Sequence, residues 1–187
     1  MNLLNKTLAL AITALALQAH AAPYQAIVPA KSSVTFSYKQ MGVAIDGRFK
    51  KFAAQVNFDP TKAEAGKASF EVELASVDAG SSEADDEVVT KSWFNAAAFP
   101  KATFVAKQFK QTAPNQYEVS GTLSIKGQSR EVKFPMKHTA QGKEGVLTGG
   151  FTLKRGDFNI GEGMWAKFDV VANDIQVNFS LTAQAGK

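Results

Sequence analysis

Few side chains in this sequence have the type and spacing that catalysis needs. It contains two histidines, His20 and His138, and no cysteine. Without a thiol there is neither a Cys nucleophile nor a thiolate metal site, and one histidine outside the N-terminal segment cannot build a His-rich zinc site. His138 follows Met136 in an alternating stretch. It therefore faces inward near a strand end, where a rim position or a satisfied polar side chain is the better reading than a general base. A Ser-His-Asp triad would have to use His138, and no Gly-x-Ser-x-Gly elbow accompanies it. Glu162 stands between Gly161 and Gly163 with no partner evident, as in a mobile loop beside an opening. Glu83, Asp85, Asp86 and Glu87 lack calcium-loop spacing and suit the positive end of a helix. No catalytic residue and no metal ligand is nominated, and the chain is expected not to be an enzyme. An isomerising or other acid–base activity would have to rest on His138 or Glu162. Arg48 and Arg155 are candidates to meet a polar group on a bound ligand.

The elements that would hold these residues alternate with a period of two. Apolar positions recur at 34, 36 and 38, at 52 to 58, 68 to 74, 102 to 106, 117 to 125, 132 to 136, 147 to 153 and 175 to 181, with polar residues between them. This predicts about eight half-buried strands. Short turns at Pro114-Asn115, Gly127-Gln128 and Gln141 to Gly145 make neighbours antiparallel. Asp46-Gly47 is a further candidate turn. One segment breaks the period. Ser82-Glu83-Ala84-Asp85 resembles a capping box, Val89 and Trp93 share a helical face, and Pro100 restores extended chain, which predicts one helix of two to three turns. Eight one-faced strands can stack as a sandwich or close into a barrel. Glycines 121, 149 and 150 inside strand patterns favour the barrel.

The N-terminus reads as a secretory leader: Lys6, an apolar run from Thr7 to Leu17, then Ala19-His20-Ala21 in the small-x-small pattern. We expect a signal peptide over 1–21 and one domain over 22–187, in the periplasm or secreted. Losing Lys6 lowers the formal charge from +4 to +3. The charges are scattered, so nucleic acid is not an expected partner. The leader run is too short to span a bilayer, and no later run is long enough, so no transmembrane segment is expected.

Most of the 14 phenylalanines fall on the inward parity. An eight-stranded barrel has an interior that side chains can fill or that can hold one small ligand. Parity alone leaves these two outcomes open: a hollow for a long hydrophobic chain, or a packed core in an envelope-stress or interaction protein.

In order along the chain, the segments Ser33-Val34-Thr35-Phe36, Gly47-Arg48-Phe49-Lys50-Lys51-Phe52, Ser92-Trp93-Phe94-Asn95, Phe99-Pro100-Lys101-Ala102-Thr103-Phe104, Gly121 to Gly127 with Arg130-Glu131-Val132, and Lys154 to Gly161 resemble the YceI family of exported bacterial proteins. The resemblance implies an all-β, eight-stranded, antiparallel, lipocalin-like barrel that holds a polyisoprenoid, with no catalytic residue carried over. The expected lining is Phe36, Tyr38, Phe52, Phe70, Phe104, Leu123, Ile125, Phe134, Phe151, Leu153, Phe158, Trp165, Val177 and Phe179, with Trp93 and Phe94 at the mouth or lid. The expected partner is a hydrophobic small molecule or isoprenoid lipid, such as an isoprenoid quinone or prenyl phosphate, bound without any further cofactor to a monomer or homodimer. Many members carry Arg-Asp and His where this chain has Glu83 to Val88, so its head-group preference is expected to differ.

Overall fold

The computed structural model describes residues 22–186. The expected leader lies outside the described residues. Eleven strands follow in order: β1 (Tyr24–Ile27), β2 (Ser33–Gln40), β3 (Val43–Phe49), β4 (Phe52–Phe58), β5 (Lys67–Glu73), β6 (Val77–Asp78), β7 (Lys101–Ala113), β8 (Gln116–Ile125), β9 (Gln128–Gln141), β10 (Glu144–Lys154) and β11 (Asp174–Ala185), with one helix, α1 (Ser82–Val88). All pairings between strands are antiparallel.

Eleven strands make eight staves because three staves are broken. β11 pairs along one edge with both β1 and β2, so these two form one interrupted stave. β3 and β4 pair with β2 and β1 respectively, and β6 and β5 pair with β3 and β4. The breaks fall side by side, at a 3-10 turn over Pro29–Lys31, at Lys50-Lys51, and at a second turn over Leu74–Ser76. β7 to β11 complete the ring, and β1 on β11 closes it. The result is a closed eight-stranded antiparallel barrel, as the alternation predicted. Inward parity runs along most staves, because a one-residue slip would turn an entire apolar set to water; in β7 a bulge between Ala106 and Gln108 shifts it, so Ala102 and Phe104 face inward before the bulge and Phe109 after it.

Three local expectations need correction. Asp46-Gly47 is not a turn but lies within β3; the hairpin turns at Met41-Gly42. The cap of α1 is Ser81, one residue earlier than expected, its hydroxyl accepting from the Ala84 amide. The helix also ends at Val88, so Val89 and Trp93 do not share a helical face. Val88, Val89 and Thr90 are β-branched in succession, which weakens helix, and the amides of Phe94 and Ala96 turn back onto the carbonyls of Val88 and Val89.

Pro135 sits inside β9, and the ladder between β9 and β10 stops at Met136–Gly149. Proline has no N–H to continue it. Beyond that point the strands part, and a 3-10 turn over Arg155–Phe158 packs beside β9. Gly149 lies opposite Phe179, and a Cβ there would come within 2.6 Å of the ring, so its role is to make room for a phenyl ring.

Candidate functional site

One end of the barrel is filled. Phe58, Phe109, Tyr117, Val119 and Ala183 are almost fully buried there, with a 3-10 turn over Ala63–Ala65 setting Ala63 among them. Phe58 meets Tyr117 edge to face at 5.1 Å, and the Tyr117 hydroxyl donates to the Pro60 carbonyl. His138 is part of this plug. It is 4% exposed, its Nε2 shares a 3.1 Å hydrogen bond with the Tyr24 hydroxyl, and its Nδ1 has no partner among the described residues. Burial pulls its pKa below the ordinary histidine value. Glu162, the other acid–base candidate, lies at the far end of the barrel and is bound to Lys126, as described below.

Between this plug and the other end lies a cavity of about 560 Å³. That volume falls within the range of small-molecule sites, roughly 300–1,000 Å³. Phe36, Tyr38, Phe70, Phe104, Leu123, Ile125, Phe134, Phe151, Leu153, Val177 and Phe179 line it, all from the expected set, and Trp93, Phe94 and Trp165 line it near its opening. Phe134 is the hub of the rings, 5.3 Å from Phe104, 5.4 Å from Phe151 and 5.6 Å from Phe179.

Two expected lining residues are elsewhere. Phe52 begins β4 at the break in its stave, stacks on Phe70 and faces a separate, polar cleft shared with Arg48, Lys51 and Glu73. Phe158 is 2% exposed and lies under Arg130, wedged where β9 and β10 have parted. Its parity could not reveal this, because it is in a turn rather than a strand. Neither arginine is free for a head group. Arg48 is outside the barrel, paired with Asp78 at 3.2 Å. Arg155 borders the cavity, but every guanidinium nitrogen is engaged. Nε donates to the carbonyl of Ala172, Nη1 to Ile160 and Gly161, and Nη2 to Trp165, Lys167 and Val171. The guanidinium also lies 5.3 Å from the Trp93 ring and 4.8 Å from that of Phe168. Burial pulls its pKa below the ordinary value. Arg155 thus gathers residues 160–172 into one wall of the opening.

Several site features were not anticipated. Glu87 lines the cavity, and its Oε1 accepts from both indoles, Trp93 Nε1 at 3.1 Å and Trp165 Nε1 at 2.8 Å. The Ser92 carbonyl accepts the amides of Gly161 and Glu162, joining the two segments that cover the mouth. Lys126, its side chain only 7% exposed, donates to the Asn159 carbonyl and to Glu162 at 2.7 Å. Glu162 therefore has the partner that the sequence did not disclose. Phe49, Val171 and Gln40 also border the cavity. Gln40 continues the alternation of Val34, Phe36 and Tyr38, whereas Phe49 ends β3, a strand the sequence did not disclose, and Val171 enters from a loop. Among the described residues no group of three metal-ligating side chains converges, and no helix is long and apolar enough to cross a membrane.

A closed antiparallel barrel, plugged at one end and hollow and aromatic within, defines a lipocalin-like fold. Residues 25–183 match the YceI-like domain, and the chain belongs to that family. It is 31% identical to a UPF0312 protein of Azotobacter vinelandii over 134 residues, covering 68% of this chain and 70% of that one. It is similar to the crystal structure of Burkholderia cenocepacia BcnA, with a TM-score of 0.82 and 40% identity, covering 84% of this chain and 99% of that one. A polyisoprenoid binding domain from Saccharophagus degradans, implicated in plant cell wall breakdown, shares the fold, with a TM-score of 0.68 and 16% identity over 89% of this chain and 99% of that one.

Proposed function

We propose that this protein is an exported carrier that holds a polyisoprenoid or similar long-chain hydrophobic ligand inside the barrel. The observation that carries the reading is the 560 Å³ hollow among phenyl rings. A barrel whose only use for its phenylalanines was packing would interdigitate them, since protein interiors close-pack with few voids larger than a water molecule. Each buried methylene of a ligand is worth about 0.8 kcal/mol before ordering costs. The Saccharophagus degradans domain of the same fold is described as polyisoprenoid-binding, which supports the ligand class. The order of charge, apolar run and small-x-small site in residues 1–21 supports export to the periplasm or beyond. On this reading the protein is not an enzyme, and its bound group is the lipid itself, an isoprenoid quinone or prenyl phosphate being the natural forms.

The test is organic extraction of protein purified without detergent, followed by mass spectrometry, for the wild type and for Ala68→Phe. Ala68 lines the hollow, so the added ring should fill space that the ligand needs. The wild type is expected to release a long-chain lipid near one per protein, and the folded variant much less. A wild type that releases none and takes up no labelled polyprenol would refute the reading, leaving a packed interaction domain.

A further inference from the structure

The two ends of the barrel differ in what they show to solvent. At the plugged end the hairpin tips are Pro114-Asn115 and Gln141-Gly142-Lys143. Seven large apolar side chains are exposed among the described residues, and six of them are at the open end: Met41, Val43, Phe99, Met164, Phe168 and Val170. Only Val105 lies on the barrel side. The six come from three segments around the mouth: the hairpin at Met41 and Val43, Phe99 before β7, and the connection that carries Met164, Phe168 and Val170. At three places on two of these segments a neighbour lines the cavity beside an exposed apolar residue: Gln40 beside Met41, Trp165 beside Met164, and Val171 beside Val170. The Met41 amide donates to the Val170 carbonyl, which ties two of these segments together.

Met41 makes the point most sharply. Met41 and Gly42 have φ of 50° and 81°, the two left-handed positions of a type I′ hairpin turn. Asparagine or aspartate is the favoured first residue there, because other side chains are strained at positive φ. The hairpin at Lys126-Gly127 repeats the geometry at 49° and 75°, but Lys126 reaches Asn159 and Glu162 from it. Met41 is 78% exposed, and Met164, just after the left-handed Gly163, is 87% exposed. A strained, solvated methionine does nothing for the isolated fold, and a local rule broken without structural gain is a mark of function.

We propose that the open end of the barrel docks on the surface of a lipid bilayer, with Met41 and Met164 entering the apolar layer. The inference rests on the carrier reading, since a long-chain lipid can then move between bilayer and cavity without exposing its chain to water. Met41 and Met164, 78% and 87% exposed, stand furthest out into solvent of the six. Lys39 and Lys167 alternate with Asp46 and Asp169 around them, all exposed, so the rim offers no single-sign field to a charged protein partner. A neutral, yielding apolar layer fits both facts.

The experiment is flotation with phosphatidylcholine vesicles, comparing the wild type with a variant carrying both Met41→Asn and Met164→Asn. Asn is the residue that the turn at 41 prefers, so thermal stability is expected to be unchanged or raised, while vesicle partitioning falls at least tenfold. Equal partitioning of the two proteins, or a wild type that does not float, overturns the proposal. So does a wild-type dimer, seen by light scattering, that the double substitution dissociates, because the occupant would then be a second copy. Lipid extracted from both preparations is measured in parallel. Loss of carriage, which would sink the carrier reading, is thereby told apart from loss of docking.

Discussion

Replacing Arg155 by Met should loosen the mouth while leaving the barrel standing. The guanidinium bonds six backbone carbonyls between Ile160 and Ala172. Met fills similar space but donates nothing. Three of those bonds, to Ile160, Gly161 and Val171, are buried. A buried acceptor left without a partner costs about 1–3 kcal/mol. Three of them give at least about 3 kcal/mol if the wall stays shut, and opening the wall to water sets the upper limit. A loss of about 3 kcal/mol is survivable for a domain of ordinary stability, roughly 5–15 kcal/mol. Hydrogen exchange with mass spectrometry reads the result directly. Protection of peptides covering 156–172 should fall steeply while that of β7 and β8 changes little, and denaturant titration should show the global loss. If Arg155→Met retains wild-type stability and wild-type protection over 156–172, the carbonyl cluster does not hold the mouth, and the reasoning fails.

Further outcomes follow from the plug and the lid. His138 has a depressed folded-state pKa, so the unfolded chain binds a proton before the folded one does as pH falls through the ordinary value of 6.5. Stability should therefore fall from pH 7 downward and level off below the folded pKa, and His138→Gln should flatten that slope in a series of melting curves at stepped pH. Glu87→Ala should leave both indoles without their acceptor. Since Trp93 and Trp165 are the only tryptophans, the emission maximum is expected to move to longer wavelength with little change in far-ultraviolet dichroism.

Much of the barrel was legible because burial in a strand has a period that no other element shares. Phe36 and Tyr38, Phe134 and Met136, and Val177 and Phe179 face inward as their spacing requires. β1 escaped notice because four residues, Tyr24 to Ile27, are too few to display a period, although they close the ring. Phe52 shared the inward parity but lies at a break in its stave, where facing residues belong to a different opening. The roles of Arg155, Lys126 and Glu87 were hidden for another reason. Arg155 binds main-chain carbonyls, which every residue possesses, and Glu87 and Trp165 are brought together from distant parts of the chain. Residue type announces a charge but not what will surround it.

The ring is fastened between its first and last strands, with Tyr24 opposite Ala185 and Ile27 opposite Ala183. The first of the described strands thus waits for the last. No hoop of hydrogen bonds can be completed on a partial chain, and the distant pairing carries a heavy loop-closure cost during folding. Trimming Thr182 to Ala185 would be felt far beyond the tail, since it would strip the final rungs from β1 and β10 together and turn an edgeless wall into two raw margins ready to pair with a stranger.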